Sequence, residues 1–460
     1  MRLGRTRKTY INETGELLDY IERSLDFVED FVKEALGGVE KINDALVKGR
    51  IIDFDLVKRG LSWLYMLAKE AIDADTLSIP YCLTTFLNSI AREVYGEDKV
   101  RVVVIGGSDL MYYKYNLGRL REVTRKLQIP IPKYPELPEK IGILKFPYCA
   151  SREVLVNCIL FHEMGHYIYE KIGLHADLSK ILAKDLWQFF VDKRIFAGFD
   201  PKDVDSTWKK WRKLLNYVKD VMTRWADEMF ADIFAIRLIG PAFHLACREL
   251  EQILPSENGQ RTSFSRTHPA DKFRFKIHAK WLSEGGWDKI IRSRTPEVFE
   301  ELEACKGLEV KGGHFSINCE SPLSQTEGLE KKLHKWMLKE FRKVVVKVEE
   351  AVEEIFPGQE KPIDDFNKND FLVTRFLEHG IVPSTVYDEK TEEKRHPKPT
   401  TVLNSGFFFY LSGMKELLSR VEVKDDSDDV KKRLTCEKRL NEWLGKAIDD
   451  WQILKSEGKV

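Results

Sequence analysis

The chain has 460 residues, 43% hydrophobic and 11% aromatic, and its 74 basic residues are balanced by 74 acidic ones. That length admits roughly two to four domains with at least one large core, so the composition is that of a globular protein. Balanced charge without a local basic patch excludes a field for nucleic acid or an anionic membrane, and no apolar run reaches the ~18 residues of a membrane-spanning helix.

The N-terminus, Met1-Arg2-Leu3-Gly4-Arg5-Thr6-Arg7-Lys8, is basic but lacks the apolar core of a signal peptide and reads as a surface tail. Residues 14–93 read as amphipathic helices, with Leu17, Leu18, Ile21, Leu25, Val28 and Phe31 spaced at a period near 3.6. Val102-Val103-Val104-Ile105, closed by Gly106-Gly107, predicts a buried strand, and residues 141–148 predict a second. Pro147 puts the end of that second strand at a sheet edge or outside the ladder, where a peptide could bind by adding a strand.

The second strand runs into Ser151, a helix N-cap with Glu153 in the first turn, followed by Leu155, Val156, Ile159, Leu160, Met164 and Ile168 on a largely buried helix. Gly165 in mid-helix costs about 1 kcal/mol relative to alanine, which points to a close neighbour. A second long helix is predicted over residues 207–238, carrying Trp208, Trp211, Val218, Met222, Trp225, Phe230 and Phe234 and stopped by Gly240-Pro241. Beyond Lys289 the chain is more polar, with a charged helix over 327–355 and linkers at 357–362, 389–399 and 424–429. The short apolar run at 406–413 is bounded by glycines and does not span a membrane.

This pattern predicts an α+β, predominantly helical protein. It divides into a helical N-terminal region (1–98), a central domain (99–288) with a small sheet and two crossing helices, and a mostly helical C-terminal region (289–460). The seven cysteines, Cys82, Cys149, Cys158, Cys247, Cys305, Cys319 and Cys436, are odd in number and form no C-x-x-C pair. Cys158 and Cys247, in helix-like apolar surroundings, read as core thiols in a reducing cytoplasm, and the set carries neither a disulfide framework nor a cysteine zinc site.

The chemistry is carried by His162-Glu163-Met164-Gly165-His166. On a helix, residues i and i+4 share a face, so both imidazoles reach one metal ion while Glu163 reaches its water. A shuffled chain would show such a pattern roughly 3 times in a hundred, so the motif needs support. A catalytic zinc site wants three protein ligands and an open position. The second helix supplies Asp227, Glu228 and Asp232 in an apolar strip, where buried carboxylates need partners or a metal. Glu228 and Asp232 are themselves i, i+4, so one carboxylate faces the metal while the other orients a ring N–H of His162 or His166.

His-Glu-x-x-His followed by Glu-x-x-x-Asp resembles the gluzincin zinc metallopeptidases, especially the CAAX-prenyl-protease and HtpX type. The likeness includes Glu228-Met229-Phe230-Ala231-Asp232-Ile233-Phe234-Ala235 and, further on, Thr267-His268-Pro269 followed by Arg274. It spans residues 161–274. Those enzymes are membrane-embedded, whereas the interval between His166 and Glu228 is charged here, so the resemblance is that of a soluble relative. Some similarity extends to the ImmA/IrrE-like peptidases.

The resemblance implies a zincin-like core and one zinc ion held by His162, His166 and Glu228, with Asp232 behind them. Glu163 would be the general base, and His268, with Tyr167 and Arg274 behind it, the candidate donor to the oxyanion. The implied partner is a peptide or protein substrate, and the insertion before Glu228 with the C-terminal helices would roof the cleft. Two other readings stay open: a silent, zinc-stabilised scaffold or sensor that binds a partner protein, and a zinc hydrolase of non-peptide amides. His175, His244, His278 and His314 have no legible partner spacing and read as ordinary surface or core histidines.

Overall fold

A computed structural model describes residues 81–95, 101–107, 112–115, 141–147, 150, 152–192, 204–253, 264–265, 267–306, 329–357, 360–388, 391–420 and 429–460. The amphipathic pattern at 14–80 and the position of Ser151 lie outside them. The described residues are predominantly helical, with two small sheets. Contacts divide the chain into two compact units, residues 1–160 with 448–460, and residues 161–447.

In the first unit, helix α1 (Tyr81–Tyr95) packs on strand β1 (Arg101–Gly107). The Asn88 side chain ties the two, donating to the Val102 carbonyl at 2.8 Å and accepting from the Val102 N–H at 2.7 Å, as a neighbouring strand would. With β2 (Tyr113–Tyr115) and β3 (Ile141–Pro147), β1 forms a sheet of order β1-β3-β2. Strand β3 is therefore the centre of this sheet. It pairs in parallel with β1 from Arg101↔Ile141 to Gly107↔Pro147 and antiparallel with β2 at Ile143, Leu144 and Lys145. This corrects the expected free edge: at Ile143, Leu144 and Lys145 the strand has a neighbour on each side, so no strand can be added along that stretch.

The helix expected straight after Ser151 begins later. Residues 152–155 form a turn, Val156–Ile159 a 3-10 turn, and α2 runs over Leu160–Ile172. Asn157 explains the delay: its amide donates to the Ala150 carbonyl and accepts from the Tyr112 hydroxyl at 2.9 Å, so its side chain competes with the helical ladder.

The second unit is built round α4 (Val204–Ile239), whose 36 residues extend about 54 Å. Val218, Val221, Met222, Trp225, Met229, Phe230, Ile233 and Phe234 are all but fully buried, so its central turns are covered except along the side that carries Arg224 and Asp227. Against it pack α3 (Leu174–Asp192), α6 (Asp271–Glu284) and α9 (Leu329–Ile355), while α5 (Pro241–Ile253) follows it in the chain. Trp225, Phe264, Phe273 and Phe341 interlock with ring centroids 4.7 to 6.2 Å apart, each contributing about 1.5–3 kcal/mol by burial.

Helix α4 stops where the sequence predicts. Gly240 takes φ +64° and its N–H donates to the Ile236 carbonyl at 2.8 Å, a left-handed cap that glycine adopts without strain. Between α6 and α9 lie α7 (Asp288–Arg294) and α8 (Pro296–Lys306). After α9 come α10 (Pro362–Glu378), the hairpin of β4 (Val386–Asp388) and β5 (Glu393–Arg395), α11 (Pro399–Ser412) and α12 (Met414–Arg420). The last helix, α13 (Asp429–Ser456), gives residues 429–447 to this unit and 448–456 to the first. The run at 406–413 lies largely within buried α11, and no helix among the described residues is long and apolar enough to cross a membrane.

Candidate metal centre

Helix α2 carries His162 and His166 one turn apart, their rings 4.6 Å between centroids and at 84° to each other. It crosses α4 at Gly165. A Cβ on that glycine would fall 2.6 Å from the Ala231 Cα, so its absence lets the two backbones approach. The close contact expected at Gly165 is this one, and it sets the histidines against Asp227, Glu228 and Asp232 of α4.

The two nitrogens of each imidazole have different partners. His166 Nδ1 hydrogen-bonds Asp227 Oδ1 at 2.7 Å, and His162 Nδ1 lies 2.9 Å from Asp232 Oδ1, within ion-pair distance but not aligned for a hydrogen bond. The Nε2 atoms turn instead to Glu228, at 3.5 Å from Oε2 for His162 and 3.6 Å from Oε1 for His166. These are long for hydrogen bonds. Donors round a tetrahedral ion with bonds of about 2.0–2.2 Å stand about 3.3–3.6 Å apart, so the spacing suits a shared cation. One ligand atom from each of His162, His166 and Glu228 lies within 4.8 Å of the others, and this group can hold a metal ion.

Charge points the same way. Glu228 and Asp232 share one guanidinium, Arg274, which binds Asp232 through Nε and Nη2 at 2.7 and 2.6 Å and lies 3.6 Å from Glu228. Burial pulls the His162 pKa down, but Asp232 and Glu228 outweigh it and raise it to about 10. For His166 too, the carboxylates Asp227 and Glu228 overcome burial and raise it. Burial pushes Glu228 and Asp232 up; the histidines and Arg274 nonetheless hold both carboxyls well below the usual range. The pocket thus keeps its carboxylates ionised and favours positive charge at the imidazoles.

Glu163 is 7% exposed and its carboxylate makes no hydrogen bond or ion pair among the described residues. His268 sits on the solvent side, half-exposed, with Nε2 3.3 Å from Glu228 Oε1 and Nδ1 2.7 Å from the Thr267 hydroxyl. A compact turn fixes it: Ser265 Oγ accepts the His268 N–H at 2.8 Å, the Ser265 N–H donates to the His268 carbonyl at 2.9 Å, and Trp225 Nε1 donates to the Ser265 carbonyl at 2.8 Å. Arg274, one turn into α6, is committed to Asp232. The Tyr167 hydroxyl is buried and has no hydrogen-bond partner among the described residues, so neither residue offers a donor to solvent as His268 does.

Four contributors have no role in the sequence reading. Asp227 is the partner of His166, and only its place beside Glu228 hints at that. Phe243 of α5 stacks on His162 at 5.9 Å, with rings 9° from parallel. His278, expected to be an ordinary core residue, places Nε2 3.2 Å from Asp232 Oδ2, and His244 places Nδ1 3.2 Å from His278 Nδ1. Arg274 and His278 are i, i+4 on α6, so that spacing was the available signal. His175 is exposed on α3, and His314 lies outside the described residues. No protein-family model, no curated protein and no solved structure matches the chain.

Proposed function

We propose that this chain is a zinc-dependent endopeptidase of gluzincin type, similar to the CAAX-prenyl-protease and HtpX enzymes, with α2 and α4 as the crossing pair of a zincin-like core. One observation carries the reading. Both Nε2 atoms and the Glu228 carboxylate converge while both Nδ1 atoms face aspartates, and Glu163, next to His162, has no hydrogen-bond or ion-pair partner among the described residues.

Two imidazoles and one carboxylate with an open fourth position form a donor set suited to catalytic zinc. Zinc held by His162, His166 and Glu228 would supply Lewis acidity, bringing the pKa of bound water toward about 7 and polarising the scissile carbonyl. Asp232 and Asp227 keep Nδ1 protonated and Nε2 bare on the two histidines. Glu163 takes a proton from the attacking water and hands it to the leaving amine. His268, fixed by Thr267 and the Ser265 turn, donates from Nε2 to the oxyanion as it forms. Its exposure leaves that face open to a peptide.

The test is Glu163→Gln, which keeps the shape of the site but removes the base. Peptide turnover is expected to fall by about 10²–10⁴ at unchanged zinc content. Unchanged proteolysis, or a wild-type protein that holds no stoichiometric zinc, would sink the reading.

A further inference from the structure

Behind Asp232 the polar contacts continue away from the metal-facing atoms. Asp232 is fully buried, and its two oxygens are shared among three groups: Oδ1 with His162 and Arg274, Oδ2 with Arg274 and His278. His278, 1% exposed, is followed by His244, 4% exposed, through the contact between their Nδ1 atoms. Phe243, the neighbour of His244 on α5, packs against both His162 and His278 with centroids 5.9 and 5.4 Å away. Helices α5 and α6 therefore brace the ring of His162 from its far side.

The proton positions in this row are interdependent. A metal-binding His162 presents a bare Nε2, so Nδ1 carries the hydrogen and donates to Asp232. Asp232 is ionised and only accepts, which requires His278 to carry its hydrogen on Nε2. His278 Nδ1 is then an acceptor, and His244 must donate from its own Nδ1. That leaves His244 Nε2 bare and buried with no polar partner in reach among the described residues, whereas His162 Nδ1 and His278 Nε2, which also make no aligned hydrogen bond there, stand 2.9 and 3.2 Å from the Asp232 carboxylate. An orphan of this kind destabilises the fold, and an apolar residue at 244 would not. Burial, with Arg274 beside His278 and with His278 and Arg248 beside His244, lowers both pKa values and keeps the pair neutral, as this row requires.

We propose that His278 and His244 are positioning residues that fix Asp232, and through it the tautomer and orientation of His162, and so tune how tightly the centre holds its metal. This rests on His162 being a ligand but not on the reaction catalysed. The experiment is zinc competition against a chromophoric chelator for the full chain, His278→Leu, His278→Gln and His244→Phe. It is paired with two-bond ¹H–¹⁵N spectra of the histidines in the zinc-loaded wild type. His278→Leu is expected to weaken zinc about tenfold and His244→Phe about threefold, with His278→Gln, which still donates to Asp232, recovering most of the loss. The spectra are expected to show hydrogen on His278 Nε2 and on His244 Nδ1. Zinc affinity within twofold of wild type in both His278→Leu and His244→Phe would overturn the inference while leaving the metal centre standing, and so would the opposite tautomers, which need no variant to fold. Failure of the wild type to take up zinc would overturn the metal centre and this inference together.

Discussion

The larger unit holds two buried polar clusters between helices. In one, Asp365 and Asp370 of α10, each 8% exposed, face α11 and α7; in the other, Glu228 and Asp232 of α4 face α2 and α6. Asp365 accepts from Asn369 at 2.9 Å, from the Lys398 N–H at 3.0 Å and from the Thr401 hydroxyl at 2.6 Å, so it caps the start of α11. Asp370 accepts from Ser405 at 2.7 Å, from Thr374 at 3.2 Å and from Arg294. Every carboxylate oxygen in that cluster meets a proton donor. Around Glu228 the inventory differs: two imidazole Nε2 atoms stand 3.5 and 3.6 Å from its carboxylate, longer than normal hydrogen bonds, while both Nδ1 atoms face aspartates. Buried acceptors matched by donors hold helices together, whereas two imidazoles set round a buried carboxylate make a place for positive charge, which a proton fills in the metal-free chain and a cation can take over.

The difference can be broken from either side. Glu228→Gln removes a charge and a donor from the convergent cluster, and the purified variant is expected to lose its stoichiometric zinc, as read by elemental analysis. Asp370→Ala strands Arg294 and Ser405 and is expected to cost about 3–5 kcal/mol in chemical denaturation, with zinc affinity unchanged. A variant at 370 that lost zinc without losing stability would erase the distinction. Gly165→Ala tests both readouts at once. Its Cβ meets the α4 backbone, so a cost of about 1–3 kcal/mol should come with weaker zinc, because the crossing that aligns the ligands has moved.

The smallest expected effect is a slope. His162 is raised from 6.5 to about 10 in the folded, metal-free chain, so its stabilising charge is fully present below about pH 6.5 and is lost as pH rises toward 10. Glu228 and Asp232 are depressed, so their contribution is present at neutral pH and lost on acidification through their folded values. A metal that displaces the His162 proton should therefore bind about tenfold tighter per pH unit between pH 7 and 9, measurable by chelator competition. A flat profile would mean that His162 gives up no proton to the metal.

Much of the centre was legible in the sequence because helical spacing is short-range information: His162 with His166, Glu228 with Asp232, the stop at Gly240 and the need for a close neighbour at Gly165 all follow from residues within one or two turns. What stayed hidden depends on long-range approach. The pairing of His166 with Asp227 spans 61 positions, and that of Arg274 with Asp232 spans 42, so no local pattern announces them. His278 and His244 look unremarkable until α5 and α6 are brought together. The sheet failed for the same reason: β3 carries an apolar run ending in proline that reads equally as edge or centre, and only β2, three residues long, decides it.

The most direct test of the central claim is X-ray absorption at the zinc edge on the purified full-length protein. The account predicts one zinc per chain with two imidazole nitrogens and oxygen completing the shell, at about 2.0–2.2 Å, and that signature disappearing in Glu228→Gln. Sulfur in the first shell, or a chain without bound metal after purification and zinc addition, would contradict it.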